Sequence, residues 1–563
     1  MTEHKVNMVM QEAFPVEKIK NLDFGSADGH RDDLIEDTFV KTYSVELFER
    51  DSHSLIVGPF GSGKSTIFRL LKMQGEKFPI YLDHLVVSIE EQVSFVALRS
   101  LVSSFFKEID EKRVYQLVWK FHILTRLGEE LTKEKDFPKS ENEKYINKYL
   151  GRVGGKGHYS TIVDKLKLIM TSFAFKFEAK IGETPITLKA QGKNQEELER
   201  LSINLDELQD KINSVIGERG YSKATVAIDK LDKFVAGEAY EVQRLYIESL
   251  LEVEDDLRSL ENIQCKVFIR EDLFSRLDFT SLGYDKVQDN TIRLKWTNEE
   301  SFRFVAIRIA VALRKEGITN IGEIMQSTDF SDYRIGKFDR FAIKYGRSPI
   351  ASLIIKAIKQ VKPIYKEREI SLYGKFDRAI ITKLFPRTVF HMKESGEREE
   401  ISIFEYLSTH FLDGNEVCTP RYLLIFLKEV RDISASYYEG NPDKMATLEM
   451  NDGDWEWNLF KKGCVEKAYY SSKEKYLRNI TSIDDSWRNF IVLLLERKGR
   501  KTKFNHKWLN ANFEEMTEDV VAEFLAFLHV VGFFRVSHHH ADIKKREFEL
   551  PILYKPTPKE KAV

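Results

Sequence analysis

The 563-residue chain has little cysteine, proline or glycine, and each shortage excludes a class of protein. It has 3 cysteines, 13 prolines and 29 glycines, whereas 42% of its residues are hydrophobic and 31% are charged. This composition excludes disordered, collagen-like and low-complexity chains. Cys265, Cys418 and Cys464 form no CxxC pair, so we expect neither disulfides nor a cysteine zinc site, and we predict a cytoplasmic protein.

An excess of charge of one sign and apolar segments of membrane length are also missing. The 87 Lys and Arg residues are balanced by 89 Asp and Glu residues, for a formal net charge of -2. Any basic surface must therefore be local. The N-terminus has no basic start before an apolar stretch, and the apolar window 520–534 carries charge. We expect no signal peptide and no membrane partner.

Strand and helix patterns alternate in the first half of the chain. Apolar runs predict strands at 55–57, 81–89, 225–228 and 265–269, and helical patterns begin near Lys64 and span 239–260. This alternation predicts an α/β fold with a parallel sheet. Residues 173–190 alternate around Gly182 and predict a β-hairpin, while the polar run 129–148 is typical of an exposed connection.

The chain divides into four predicted regions. Thr297 and Glu300 fit a capping box, which predicts a helix over 298–315. The last eighty or so residues show three helical patterns and two strand-like runs. The predicted regions are an N-terminal segment (1–50), an α/β core (51–295) with a mainly helical insertion at about 93–217, a helical lid (296–480) and a C-terminal unit (481–563).

A glycine-rich motif follows the first predicted strand. It matches GxxxxGK[ST] in full and consists of Gly58, Pro59, Phe60, Gly61, Ser62, Gly63, Lys64, Ser65 and Thr66. The glycines let main-chain N–H groups wrap a phosphate, Lys64 reaches the β- and γ-phosphates, and Ser65 offers a hydroxyl to Mg²⁺. The motif predicts a P-loop that binds ATP with Mg²⁺.

Two acids and an arginine follow neighbouring predicted strands. Asp229 is placed to orient Mg²⁺ through water, and Asp232 to polarise the attacking water, a role that needs an unpaired carboxylate. Lys230 and Lys233 are potential partners of Asp232. Arg270 points to the crevice where open α/β sheets bind ligands, so it is either a γ-phosphate sensor or an arginine paired with Glu271 or Asp272.

Six segments resemble bacterial P-loop ATPases of the STAND and origin-recognition-like type: FGSADGHRDD, GPFGSGKST, VAIDKLDKF, FIREDLF, IRLKWT and TPRYLLIFL. The resemblance implies that an additional strand lies between the P-loop strand and the strand of Asp229. It implies an ATP-hydrolysing switch that acts with a protein effector, as a homo-oligomer or hetero-complex, in prokaryotic antiviral defence. Lys230 and Lys233 beside the two acids depart from the family pattern, so we expect the hydrolysis to be slow. It also implies that Arg421 is the lid arginine that touches the nucleotide.

The C-terminal unit resembles a winged helix with three helices and a two-stranded wing. The basic run 497–503 contains no acid and is a candidate for contact with DNA phosphates. Five acids between 514 and 523 would repel DNA on the same face, so contact with protein is the other interpretation. The alternative function is a DNA-binding ATPase of origin-recognition type, in which ATP gates DNA engagement.

Overall fold

The computed structural model describes residues 16–74, 77–90, 98–100, 110–133, 140–154, 164–166, 176–181, 184–189, 202–235, 238–260, 262–316, 377–382, 384–393, 397–441, 449–451, 454–456, 459–481, 483–484 and 486–556. Within them the strands are β1 (Leu55–Gly58), β2 (His84–Ile89), β3 (Lys176–Ile181), β4 (Thr184–Lys189), β5 (Ser202–Asn204), β6 (Lys223–Ile228), β7 (Ile263–Arg270), β8 (Thr291–Arg293), β9 (Thr388–Met392), β10 (Arg398–Ser402), β11 (Glu449–Asn451), β12 (Asp454–Glu456), β13 (Lys503–Asn505), β14 (Arg535–His538) and β15 (Glu547–Glu549). The helices are α1 (Val16–Asn21), α2 (Tyr43–Phe48), α3 (Lys64–Met73), α4 (Glu111–Leu131), α5 (Glu141–Arg152), α6 (Leu205–Glu218), α7 (Leu231–Phe234), α8 (Tyr240–Arg258), α9 (Glu271–Phe274), α10 (Tyr284–Asp289), α11 (Asn298–Lys315), α12 (Ile403–Thr409), α13 (Pro420–Glu439), α14 (Lys462–Ile480), α15 (Arg488–Arg497), α16 (His506–Asn512) and α17 (Glu518–Val530).

The chain forms two compact units. The core unit consists of Lys41–Lys295 and Asp484–Arg488, and the helical unit of Met1–Val40, Trp296–Ile483 and Asn489–Val563. No helix in the described ranges is long and apolar enough to cross a membrane. The three cysteines are buried and none forms a disulfide.

A parallel five-stranded sheet organises the core unit, in the order β2-β6-β7-β1-β8. Every residue of β1 and β7 is buried, as expected for strands covered on both faces. The predicted α/β fold with a parallel sheet is confirmed, and β7 lies between β1 and β6. The short strand β8 was not predicted, because only one of its three residues is buried.

The helical insertion shares one hydrophobic core with this sheet. Trp119 of α4 is fully buried, and its indole N–H donates to the carbonyl of Tyr246 in α8 at 3.1 Å. The interpretation of 129–148 as an exposed connection was wrong, because part of that run belongs to α5. A capping hydrogen bond from the Glu143 N–H to Ser140 and the burial of Ile146 stabilise this helix despite its polar composition.

The predicted β-hairpin in the insertion is confirmed. β3 pairs antiparallel with β4, and β5 joins β3 in parallel. Gly182, around which the hairpin was predicted to turn, lies outside the described residues.

In the helical unit, the segment that starts at Trp296 opens with α11, a helix whose start was predicted from the sequence. The Thr297 hydroxyl accepts from the Glu300 N–H, and the Glu300 carboxylate accepts from the Thr297 N–H, so the capping box of α11 is confirmed. The C-terminal residues form α15, α16, α17 and a three-stranded antiparallel sheet in the order β13-β15-β14. The sequence predicted only two of these strands.

Candidate functional site

The parallel sheet brings the predicted site residues of the core unit to one end. Gly58, the last residue of β1, is in register with Arg270, the last residue of β7. Ile228 at the end of β6 is in register with Val267, and Asp229 follows it. Ligands of open α/β sheets bind at the carboxyl ends of the strands. The glycine-rich loop, Asp229 and Arg270 therefore lie at the same end of the sheet.

The loop between β1 and α3 needs its glycines for backbone reasons. Gly61 has φ +85° and Gly63 has φ +104°, in the left-handed region that residues with a side chain rarely adopt. A Cβ atom on Gly58 would lie 2.6 Å from the Ser62 hydroxyl oxygen. The loop passes directly into α3 at Lys64, so the positive end of a helix dipole faces it.

Lys64 is half-buried and folds back on its own loop. Its ammonium donates to the carbonyl oxygens of Gly58 at 2.6 Å and Pro59 at 2.9 Å. Burial lowers the pKa of Lys64 to about 8, and the charge of Asp229 acts in the opposite direction. Among the described residues, the ammonium is therefore hydrogen-bonded only to uncharged acceptors and remains available to an anion.

Ser65 and Asp229 are in direct contact. The Ser65 hydroxyl donates to Asp229 Oδ2 at 3.0 Å, and Asp229 is 5% exposed. A hydroxyl oxygen and a carboxylate oxygen at this separation are oxygen ligands of the type Mg²⁺ takes, directly or through water. Within the described residues no group of three or more His, Cys, Asp or Glu could hold a metal by itself, but Mg²⁺ commonly uses one or two protein ligands together with phosphates and water.

Arg270 is shared between two acids. Its Nε and Nη2 donate to the two oxygens of Asp272 at 2.8 and 2.5 Å, and its Nη1 donates to Asp232 Oδ2 at 3.1 Å. Burial would lower the pKa of Arg270, but the charges of Asp272 and Asp232 raise it above its usual value. Asp232 is thus paired with Arg270, and the unpaired carboxylate that its proposed role requires is not present in this arrangement.

Lys230 pairs with a different acid from the one the sequence suggested. Its ammonium donates to Glu90 Oε2 at 2.8 Å, and Lys72 donates to Glu90 Oε1 at 2.6 Å. Burial would raise the pKa of Glu90, but these hydrogen bonds outweigh it and lower the pKa to about 2. Lys230 has φ +64°, a strained turn between Asp229 and Asp232 that costs about 1 kcal/mol or more.

Arg421 belongs to the helical unit, at the first turn of α13. Burial lowers its pKa below the usual value, and the charge of Asp28 acts in the opposite direction. Asp28 and Arg421 both lie in segments that carry the resemblance to P-loop ATPases, FGSADGHRDD and TPRYLLIFL. The contact of Arg421 with nucleotide stays a prediction.

Lys72 was not assigned a role from the sequence, whereas Asp272 was named as a possible partner of Arg270, and that pairing is confirmed. Asp272 holds Arg270 through two hydrogen bonds, and Lys72 holds Glu90. The spacing of Arg270 and Asp272 in FIREDLF was visible as a possible ion pair, whereas Lys72 had no signal. No protein-family model, curated protein or solved structure matches this chain.

Proposed function

We propose that the protein binds ATP with Mg²⁺ at the carboxyl end of the core sheet and hydrolyses it slowly. One observation carries this proposal: the glycine-rich loop presents Lys64 and Ser65 beside Asp229, with 3.0 Å between the Ser65 and Asp229 oxygens. Successive loop N–H groups, the start of α3 and the Lys64 ammonium all favour a phosphate. Bound Mg²⁺ would neutralise charge on the β- and γ-phosphates, with Ser65 and Asp229 as its protein contacts.

The strand order supports the P-loop ATPase family suggested by the motifs. β7 separates β1 from β6, which is the arrangement that the resemblance implies for the additional-strand class. Arg270 ends this intervening strand. On this basis we propose a nucleotide-dependent switch that passes its state to a partner protein, and the resemblance favours an effector of prokaryotic antiviral defence.

We further propose that the γ-phosphate competes with Asp232 for Arg270. In hydrolysis, water attacks the γ-phosphorus, the bond to the β,γ-bridging oxygen breaks, and a proton of the water passes to a carboxylate. Asp232 is suited to accept this proton only when Arg270 Nη1 leaves it. Asp272 holds the rest of the guanidinium in place meanwhile, so it acts as a positioning residue. ADP lacks the γ-phosphate and would leave Asp232 paired.

Calorimetric titration with Mg·ATP tests the assignment. Lys64→Ala should abolish binding or leave a trace, because it removes the cation facing the phosphates. Lys144→Ala is a matched control, since this exposed lysine of α5 pairs only locally with Glu141. Unchanged ATP affinity in the Lys64 variant would rule the proposal out. Asp229→Ala should weaken the Mg²⁺ dependence of binding while binding without metal is retained.

A further inference from the structure

A buried lysine in the helical unit has no acidic partner among the residues that the structure describes. Lys473 of α14 is 6% exposed, and its ammonium donates to the Ile552 carbonyl at 3.0 Å. The ammonium also lies 5.2 Å from the ring centroid of Tyr469. It forms no ion pair with any carboxylate in the described part of the chain. An ammonium has three donors, so one carbonyl leaves most of its capacity unused.

A second buried lysine comes from a neighbouring segment: the Leu550 N–H donates to the Thr502 carbonyl at 2.8 Å, so the residues after α15 lie beside the segment whose Ile552 carbonyl accepts from Lys473. Lys498, which follows α15, is 9% exposed and makes no side-chain hydrogen bond or ion pair with a described residue. Lys555 is also close, but it pairs with Glu549 at 2.7 Å, and Glu549 is shared with Arg535. Glu549, the described carboxylate next to this group, is therefore already engaged by Lys555 and Arg535.

The electrostatic effects are those of an uncompensated positive cluster. Burial, and then the charges of Lys498 and Lys555, lower the pKa of Lys473 to about 7. Burial also lowers the pKa of Lys498. Burial, then His391 and Lys473, lower the pKa of His410 to about 3. Buried charges are ordinarily paired, so an anion bound to Lys473 would offset the cost of burying that ammonium without a carboxylate among the described residues.

We propose that Lys473 and Lys498 form a binding site for a phosphate group in the helical unit. A phosphate offers several acceptor oxygens, so it can accept from more than one ammonium group, and lysine is a common phosphate ligand. The site is independent of the glycine-rich loop, which lies in the core unit. It adds a second anion site to the proposed ATPase and does not depend on that assignment.

The surroundings favour phosphates of a nucleic-acid backbone as the source. Lys498 belongs to the basic run 497–503, in which Arg500, Lys501 and Lys503 are exposed. Arg497 of the run is paired with Glu515 at 3.1 Å. The exposed cations extend the positive charge from Lys498 to the surface, as required to follow a chain of phosphates. Free inorganic phosphate offers the same chemistry, and the test separates the two sources.

Binding of inorganic phosphate is measured by calorimetry at constant ionic strength, on a Lys64→Ala background that removes the glycine-rich loop as a competing site. On this background Lys473→Met and Lys498→Met should each weaken phosphate binding about tenfold or more, because each removes a charge-assisted hydrogen bond. Methionine keeps the apolar stem of the side chain. Lys475→Met is the matched control, since that lysine of α14 pairs with Glu429 and is 54% exposed.

The melting temperature in phosphate-free buffer separates binding from folding. Lys473→Met should be at least as stable as its parent there, because a buried unpaired charge is removed and the Ile552 carbonyl still accepts from the Tyr469 hydroxyl. A lower melting temperature would indicate a structural lysine and contradict the proposal. If this variant does not fold, Lys498→Met carries the same test.

Duplex DNA is titrated in parallel. Loss of both phosphate and DNA affinity in the lysine variants supports a backbone phosphate, and loss of phosphate affinity alone supports the free ion.

Unchanged phosphate affinity in both lysine variants overturns the proposal. Phosphate binding that is absent from the Lys64→Ala background but present in the wild type, and in Lys473→Met made alone in the wild type, would place the anion at the glycine-rich loop, supporting the ATPase and overturning this site. Binding seen only after removal of residues 557–563 would make a carboxylate of that segment the ligand, and the proposal would be wrong.

Discussion

The two ends of the core sheet hold polar clusters of similar composition with opposite properties. At the amino-terminal side, Lys266 is 1% exposed and pairs with Asp51 at 2.8 Å, and its ammonium also donates to the His53 carbonyl. Asp51 accepts further from Lys223 and Gln264. At the carboxyl end, Lys64 is half-buried, and its partners among the described residues are loop carbonyls alone. Complete pairing marks a structural cluster, and incomplete pairing leaves charge for a ligand.

The largest expected effect is a loss of ATP turnover at the carboxyl end of the sheet, from a change that leaves the cluster at the amino end intact. Asp232→Asn should leave ATP bound but slow turnover by about 10²–10⁴-fold, the usual cost of removing a general base. Single-turnover hydrolysis and ATP affinity are measured together. Asp255→Asn, on the exposed side of α8, should have neither effect. Wild-type turnover in the Asp232 variant would move the base elsewhere, with Glu90 as the next acid along the sheet.

A change in the cluster at the amino end of the sheet should instead lower the stability of the fold. Lys266→Met leaves Asp51 buried with fewer partners, so the free energy of unfolding should fall by about 3 kcal/mol or more. Lys64→Met, the matched change at the other end, should cost about 1 kcal/mol or less, because only hydrogen bonds to loop carbonyls are lost. Urea unfolding of both variants compares them. Equal losses would contradict the distinction between the clusters.

The pairing of Arg270 predicts how the protein distinguishes ATP from ADP. Arg270→Ala removes the proposed contact with the γ-phosphate, so the ratio of ATP to ADP affinity should fall by about tenfold. Arg244→Ala, on α8 and paired with Glu241, should leave the ratio unchanged. An unchanged ratio in the Arg270 variant would show that the arginine serves only to bind Asp232 and Asp272.

The pKa of Lys64 predicts a pH dependence for nucleotide binding. The pKa is lowered to about 8, so the ammonium that binds phosphate is lost from the free protein as the pH rises through that value. Affinity for ATP should therefore weaken about tenfold between pH 7 and pH 9. In Lys64→Arg, which stays charged throughout, whatever affinity remains should not depend on pH in this range. A flat profile in the wild type would contradict the assignment.

The smallest effect concerns the half-buried Glu90. Its pKa is lowered to about 2 by Lys230 and Lys72 against the opposing effect of burial, so the ionised form stabilises the fold above its ordinary pKa of 4.5 and this contribution is lost as the pH falls through about 2. Wild type should exceed Glu90→Gln in unfolding free energy by less than about 1 kcal/mol at neutral pH, since the pairs are partly exposed. The difference should vanish in acid. A difference that persists there would have another cause.

Local patterns predicted the elements best where burial is continuous or capping is specific. β1, β6 and β7 were predicted from their apolar runs, and α11 from its capping box. α5 was missed because few of its residues are buried, and its stability comes from packing and from the buried pair of Glu143 with Arg219. β8 and β13 each have three residues, which is too few to show the alternation of apolar and polar residues that identifies a strand.

The sequence by itself determined the glycine-rich loop and the residues at the ends of the strands. The backbone needs of Gly61 and Gly63 are local, and strand ends follow from where apolar runs stop. The pairing of Arg270 with Asp232 was decided only by the tertiary structure, because these two residues meet through strand order and the turn at Lys230. That Lys473 and Lys498 form no ion pair with a described acid was likewise invisible, since Lys473 belongs to α14 and Lys498 follows α15, and only packing brings the two segments together.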